Sequence, residues 1–168
     1  MTARCAGDRL RRMRAKTFAR LGLVAALATL MSASATTVGA PSAAAAPKIT
    51  VFKDPNCGCC KSWVEHLRKH GFDVAVRDTS DVGGAKRAGR VPEKLYSCHT
   101  AFVGGYVVEG HVPAADIQRM LRDKPKIAGL AVPGMPAGSP GMEIGSRVDK
   151  YDVIAFQRDG STRVFAHH

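Results

Sequence analysis

The stretch KITVFKDPNCGCCKSWVEHLRKHGFDVAVRD, residues 48–78, carries the pattern that decides the fold. Its first six residues, Lys48–Lys53, alternate in polarity and are rich in β-branched side chains, which predicts a strand. The Asp-Pro-Asn that follows ends this strand, because proline cannot donate a ladder hydrogen bond. From Cys59 to His70 apolar residues recur at helical spacing, and Phe72–Asp78 alternates again. The stretch therefore predicts a β-α-β unit with its cysteines at the beginning of the helix.

Downstream of this unit the sequence predicts a short helix and a β-hairpin. Residues 80–89 favour a helix weakened by glycine, with Ser80 or Asp81 as its cap. Two β-rich runs, Thr100–Val103 and Tyr106–Glu109, flank a Gly-Gly pair that suits a two-residue hairpin loop. These runs supply the next two strands of the fold.

The C-terminal part of the sequence contains a helix, a broken stretch and a second hairpin. Pro113 lies at the first turn of an amphipathic helix, PAADIQRMLRDK. The following AGLAVPGMPAGSPGME, residues 128–143, contains too much proline and glycine for a helix or a strand. The final YDVIAFQRDGSTRVFAHH, residues 151–168, places Asp159-Gly160 between two alternating runs, which indicates a hairpin.

The predicted order of elements is β-α-β-(α)-β-β-α with an added C-terminal β-hairpin. Such a chain builds a mixed sheet with amphipathic helices on its faces. A cysteine-bearing turn at a helix N-terminus, between the first two strands, is the thioredoxin-like arrangement. We therefore predict an α/β, thioredoxin-like fold.

The N-terminal segment, residues 1–46, has the pattern of a secretory signal peptide. Seven basic residues and one acid precede a short apolar run, Leu21–Met31, and small residues with Ala-x-Ala steps follow. This pattern predicts cleavage between about residues 35 and 46 and an exported, periplasmic or otherwise extracytoplasmic protein. The apolar run is shorter than the roughly 20 residues of a membrane span. We expect one domain, residues 47–168, with no stable membrane span after cleavage.

The strong positive charge belongs mostly to this N-terminal segment. The whole chain has 25 Lys and Arg against 14 Asp and Glu, a formal charge of +11. Without residues 1–46 it has 18 basic residues against 13 acids, a charge of +5 with no basic block. The composition therefore gives no indication of a nucleic-acid partner.

Cys57 and Cys60 have the C-x-x-C spacing of reactive thiol pairs. Cys60 lies in the first helical turn, where free backbone N–H groups and the helix dipole stabilise a thiolate. One interpretation is therefore a periplasmic thiol–disulfide oxidoreductase with Cys57 as the exposed nucleophile and Cys60 as the resolving thiol.

Cys59 favours a metal site instead. A third thiol inside a redox pair would compete for the mixed disulfide, whereas in a metal site it is another soft donor. Sites rich in thiolate favour Cu(I), Zn(II) or iron–sulfur clusters, and adjacent cysteines are awkward around one tetrahedral zinc ion. Cys98, just before the predicted third strand, supplies a fourth sulfur. The pattern favours a metal-binding or redox protein over a classical enzyme.

Several other side chains are weaker candidates for this site. Met135 and Met142 lie in the glycine-rich stretch, where two thioethers indicate soft ligation or a cover over the cluster, although methionine also fills irregular gaps. Packing is the simpler role for the predicted helical pair His66 and His70. The sequence assigns only a subsidiary role to two further histidines, His99 and His111.

Three long segments together resemble an exported family of predicted metal-binding proteins that includes the CopG-type copper-resistance proteins. The segments are ITVFKDPNCGCCKSWVEHLRKHGFDV, SCHTAFVGGYVVEGHVPAADIQRML and GLAVPGMPAGSPGMEIG. The resemblance extends over nearly the whole chain that follows the signal segment. Its C-x-C-C, C-H-T-A and G-S-P-G-M-E motifs are specific in combination.

The resemblance implies a thioredoxin-like fold, an extracytoplasmic location and copper held by a cysteine cluster. Carried over by motif, the ligands are Cys57, Cys59, Cys60 and Cys98. We expect Cu(I), as one ion or several, with the interconversion of Cu(I) and Cu(II) as an additional role in copper tolerance. The expected partners are copper ions and other periplasmic copper-handling proteins.

Overall fold

A computed structural model describes residues 45–143 and 145–168. The predicted signal peptide, residues 1–46, lies outside the described residues except for its last two positions. Within the described part of the chain, no helix has the length and apolar character needed to cross a membrane. The elements, in chain order, are β1 Lys48–Lys53, α1 Gly58–Lys69, β2 Asp73–Asp78, α2 Val82–Ala88, a 3-10 turn Glu93–Leu95, β3 Thr100–Val103, β4 Tyr106–Glu109, α3 Ala114–Asp123, β5 Gly129–Ala131, β6 Asp152–Phe156 and β7 Thr162–His167.

The described strands form one seven-stranded mixed sheet in the order β2-β1-β3-β4-β5-β6-β7. The β1–β2 and β4–β5 pairs are parallel, and each is joined by a crossover that contains a helix. The other neighbours are antiparallel. The prediction of a mixed α/β fold is therefore confirmed, whereas its thioredoxin-like assignment stays a prediction.

Helix α1 forms because its apolar residues share one face and its first turn is capped. The buried face carries Cys60, Trp63, Val64 and Leu67, which pack against the sheet. The sulfur of Cys57 accepts the N–H of Cys60 and so satisfies one of the free donors of the first turn. Helix α1 therefore holds the cysteine turn rigidly against the core.

The structure corrects the predicted end of α1. The sequence placed His70 within this helix and on its apolar face, but His70 follows the last helical residue and is exposed. Gly71 follows with φ of +84°, a conformation that glycine adopts at low cost.

A second correction concerns residues 128–143, where the sequence predicted neither helix nor strand. Gly129–Ala131 forms the short strand β5 between β4 and β6. Glycine is required there, because a Cβ at position 129 would lie 2.0 Å from the carbonyl oxygen of Val107. Pairing on both sides specifies this strand, and the local sequence does not. Through β5, the predicted terminal hairpin becomes part of the main sheet.

Candidate metal centre

The cysteine turn connects the end of β1 to the beginning of α1. The Asp54 side chain accepts the N–H of Asn56 at 2.7 Å, and the Asp54 carbonyl accepts the N–H of Cys57 at 3.1 Å. These bonds form a compact turn after Pro55 interrupts the strand. The turn therefore places Cys57 directly before the first residue of α1.

Cys57 and Cys60 are joined by a disulfide, with their Cα atoms 5.4 Å apart. Cys60 is fully buried, whereas Cys57 is half-buried. In the part of the chain that the structure describes, Cys59 and Cys98 are the free thiols. The sulfur of Cys59 lies 3.4 Å from that of Cys57, so the third thiol of the motif touches the disulfide.

Cys98 joins the turn because of the sheet topology. Strand β3 runs antiparallel to β1 and pairs Thr100 with Phe52, so the residues before β3 lie beside the residues after β1. The sulfur atoms of all four cysteines lie within 4.8 Å of one another. Burial raises the pKa of the Cys98 thiol to about 12, and the neighbouring Cys59 adds to the rise. A metal that binds here must therefore displace the proton of Cys98.

Two buried histidines extend the cluster on the side of Cys98. The ligand atoms of Cys98, His99 and His111 also lie within 4.8 Å of one another. His111 is oriented by the carbonyl oxygen of Pro140, which lies 2.7 Å from its Nδ1. A carbonyl oxygen only accepts, so the hydrogen is on Nδ1, and the lone pair of Nε2 faces the Cys98 sulfur at 3.0 Å. Burial lowers the pKa of His111, which favours this neutral ring.

The ring of His99 is packed rather than solvated. Its centroid lies 4.3 Å from that of Trp63 and 5.0 Å from that of His111. Among the described residues, its Nε2 has no hydrogen-bond partner. Its Nδ1 lies 3.3 Å from the Cys98 sulfur. Complete burial holds the pKa of His99 well below its ordinary value, so the ring is a neutral donor beside the thiols.

The glycine-rich stretch packs directly on the cysteine turn. A Cβ at Gly141 would lie 2.7 Å from the carbonyl oxygen of Cys59 and 2.8 Å from the backbone nitrogen of Trp63. The next residue, Met142, is half-buried, whereas the side chain of Met135 is 54% exposed. The structure thus brings the neighbourhood of Met142 to the site and leaves Met135 at the surface.

Comparisons with known proteins identify one family and two similar structures. The family described as protein of unknown function DUF411 matches residues 95–142, which include Cys98 and His111. A solved structure described as copper resistance protein CopG, form 2, is 46% identical, with a TM-score of 0.70 over 73% of this chain and 98% of that chain. The chain belongs to the CopG family. Form 1 of the same protein is 47% identical, with a TM-score of 0.68 over 72% of this chain and 96% of that chain. No curated protein matches the sequence.

Membership of the CopG family agrees with the resemblance inferred from the sequence, and the described cysteine cluster could hold a metal ion. The histidine pair His66 and His70 does not join this cluster. His66 accepts the N–H of Ala114 through Nε2 at 3.1 Å, and His70 contacts the carbonyl oxygen of His66 through Nδ1. The sequence undervalued His111, and its one signal was a position two residues after β4, whose end faces the beginning of β3.

Proposed function

We propose that this chain is an exported copper-binding protein of copper tolerance. It holds Cu(I), as one ion or several, on the thiolates of Cys57, Cys59, Cys60 and Cys98. The observation that carries the proposal is the convergence of these four sulfur atoms within 4.8 Å. Soft thiolates favour Cu(I) over hard cations, and the two similar structures are described as copper resistance proteins.

His111 and the two methionines of the glycine-rich stretch are further candidate donors. The Nε2 of His111 faces Cys98, and its Nδ1–H is held by a carbonyl, as in many metal-binding histidines. Met142 supplies a thioether from the stretch that packs on the turn. Met135, whose side chain is exposed, serves as an outer donor or part of a cover.

The disulfide gives the site a redox function as well. An external dithiol, which is oxidised to its own disulfide, donates two electrons and two protons and converts the Cys57–Cys60 bond into two thiols. These thiols lose their protons when Cu(I) binds. In the opposite direction, the two thiols reduce two Cu(II) ions to Cu(I), release two protons and re-form the disulfide. The chain can thus hold copper and change its oxidation state at one place.

An extracytoplasmic location completes the proposal. The sequence pattern of residues 1–46 supports export. In that location the protein takes up copper ions and exchanges them with other periplasmic copper-handling proteins.

An anaerobic Cu(I) titration of the reduced protein, with a chromophoric chelator as competitor, tests the proposal. We expect the Cys59→Ser and Cys98→Ser variants to bind fewer ions or to bind them more weakly. The variant Ser62→Ala is the control, because Ser62 is exposed on the same helix. Copper uptake that is unchanged after removal of both Cys59 and Cys98 would overturn the proposal.

The disulfide also favours a second function, that of a thiol–disulfide oxidoreductase. The half-buried Cys57 would act as nucleophile and the buried Cys60 as resolving thiol. This function predicts insulin reduction that is lost in Cys57→Ser and survives in Cys59→Ala. The copper function predicts instead that the loss of Cys59 weakens Cu(I) binding.

A further inference from the structure

A buried carboxylate lies behind the segment that carries Cys98. Glu109 ends strand β4, pairs with Thr100 across the ladder and has no exposed surface. Its carboxylate accepts three bonds, from Nζ of Lys86 at 2.5 Å, from the N–H of Ser97 at 2.7 Å and from the hydroxyl of Thr100 at 2.7 Å. Lys86 is itself buried and supplies the balancing positive charge.

Two of these three donors flank the residues that face the metal site. Ser97 precedes Cys98, and Thr100 follows His99. One carboxylate therefore holds both ends of a four-residue segment. The carbonyl oxygen of His99 is fixed in addition by the N–H of Gly110, the residue after Glu109. Glu109 is thus bonded on both sides of Cys98, although its carboxylate has no described hydrogen bond to the Cys98 sulfur.

We propose that Glu109 is a positioning residue, which fixes the Ser97–Thr100 segment so that the Cys98 thiol meets the cysteine turn. The inference rests on the proposed function, in which Cys98 is a copper ligand. Stability alone explains the pair poorly, since the cost of removing two charges from water offsets much of their attraction. A carboxylate suits the role because three donors converge on it and it carries only acceptors.

The substitution Glu109→Gln tests this role with little change in shape. A glutamine side chain has one oxygen and one NH2 group. Its NH2 group would therefore face a hydrogen-bond donor of Lys86, Ser97 or Thr100, where the carboxylate offers an acceptor. Thr100→Val is the second variant. It removes one end of the attachment, leaves the Lys86–Glu109 ion pair in place and still carries the test where Glu109→Gln does not fold.

The first measurement needs no copper. In full-length protein with Cys5→Ser and Cys59→Ser, and with the disulfide intact, Cys98 is the free thiol. We expect iodoacetamide to alkylate it about tenfold faster after Glu109→Gln, which corresponds to about 1.4 kcal/mol. After Thr100→Val the expected rise is about threefold. Asp116→Asn is the matched control, because Asp116 is a buried carboxylate on α3 whose side-chain partners are Arg119 and His168.

The second measurement is the Cu(I) titration of the reduced protein, in which Glu109→Gln should reproduce the lower copper binding and altered charge-transfer spectrum of Cys98→Ser. Suppose that copper binding by the parent requires Cys98, but that Glu109→Gln matches the parent in both alkylation rate and copper binding. This result would overturn the positioning role and leave the proposed function intact. Equal acceleration by Asp116→Asn at equal global stability would overturn it too. Alkylation that is faster after Glu109→Gln and Thr100→Val, but not after Asp116→Asn, supports the positioning role even where the parent binds no copper. A parent that binds no copper overturns the proposed function instead.

Discussion

The Nε2 atom of His111 lies 3.0 Å from the sulfur of Cys98, and its other ring nitrogen faces the carbonyl oxygen of Pro140. Three separate segments therefore meet at one imidazole. The segment before β3 supplies the thiol of Cys98. The segment after β4 supplies the imidazole of His111, and Pro140 of the glycine-rich stretch orients that imidazole. The lone pair of Nε2 is available either to accept the thiol hydrogen or to bind a metal ion.

Replacing His111 should weaken copper binding while the thiols remain. We expect His111→Phe to lower the Cu(I) affinity about 10- to 100-fold, the usual effect of removing a residue that orients or supports metal ligands. A chelator competition assay on the reduced protein measures the change. His70→Gln is the control, because His70 is exposed and directly follows the last residue of α1. Equal affinities of the parent and His111→Phe would exclude His111 from the site.

Copper binding should depend on the state of the disulfide. The oxidised chain offers Cys59 and Cys98 as thiols, and the reduced chain offers all four cysteines of the cluster. In a Cys5→Ser background we expect two reactive thiols per chain before reduction and four after it, with Cu(I) stoichiometry rising in parallel. Thiol assay and copper analysis on the same samples provide the measurement.

A double variant, Cys57→Ser/Cys60→Ser, is the control for this dependence. It cannot form the disulfide, so its copper binding should be the same with and without reductant. A parent protein whose copper binding is equally insensitive to reductant would contradict the prediction.

Gly141 should tolerate no side chain. Its φ is +85°, and a Cβ would lie 2.7 Å from the backbone oxygen of Cys59. We expect Gly141→Ala to lower the free energy of unfolding by about 3 kcal/mol, from left-handed strain and overpacking together. Denaturant unfolding of the metal-free protein measures this loss.

Gly134 provides the matched control for this substitution. Its φ is +68°, but a Cβ there meets none of the described atoms within 4 Å. Gly134→Ala should therefore show the backbone strain alone, about 1 kcal/mol. Equal losses for the two variants would mean that the glycine-rich stretch does not press on the cysteine turn.

Acid should destabilise the metal-free protein partly through His66. Burial, together with the nearby His70, lowers the pKa of His66, whose Nε2 accepts the N–H of Ala114. The unfolded chain then binds a proton at a higher pH than the folded chain. The contribution of His66 to the free energy of unfolding is therefore complete at pH values above its ordinary pKa of about 6.5, and it is lost as the pH falls below that value.

Urea unfolding at pH 7.5 and pH 5.5 measures this contribution. His66→Gln keeps an acceptor but does not titrate, so the loss of stability on acidification should be smaller in this variant. A parent and a variant that lose equal stability between the two pH values would contradict the assignment to His66.

Local patterns predicted most of the elements because local interactions specify them. The strand Lys48–Lys53 and both strands of the hairpin around Gly104 agree with the structure to the residue. Strand β5 was missed, because its three residues become a strand only through pairing with β4 and β6. Considered locally, Gly129 predicts the end of a strand or helix. In the sheet, however, glycine is required at this position because the backbone of Val107 lies too close for a Cβ.

The candidate site shows the same division between local and distant information. Three of its cysteines are neighbours in the sequence, and Cys98 joins them through the pairing of β3 with β1. Their role as copper ligands stays a prediction. The orientation of His111 depends on Pro140, 29 residues away. The bond between Lys86 and Glu109 spans 23 residues. Neither contact leaves a periodic signal in the sequence.

In the proposed copper site, the complete set of four thiolates forms only when the chain folds, because Cys98 is distant in the sequence. An unfolded chain already presents the thiols of the cysteine turn together, because they are neighbours in the sequence. It acquires Cys98 only when β3 pairs with β1. In the proposed copper complex, a misfolded chain therefore offers an incomplete set of donors and releases the ion more readily. An ion held in this way would link the first and third strands, so its binding free energy would add to the stability of the native sheet.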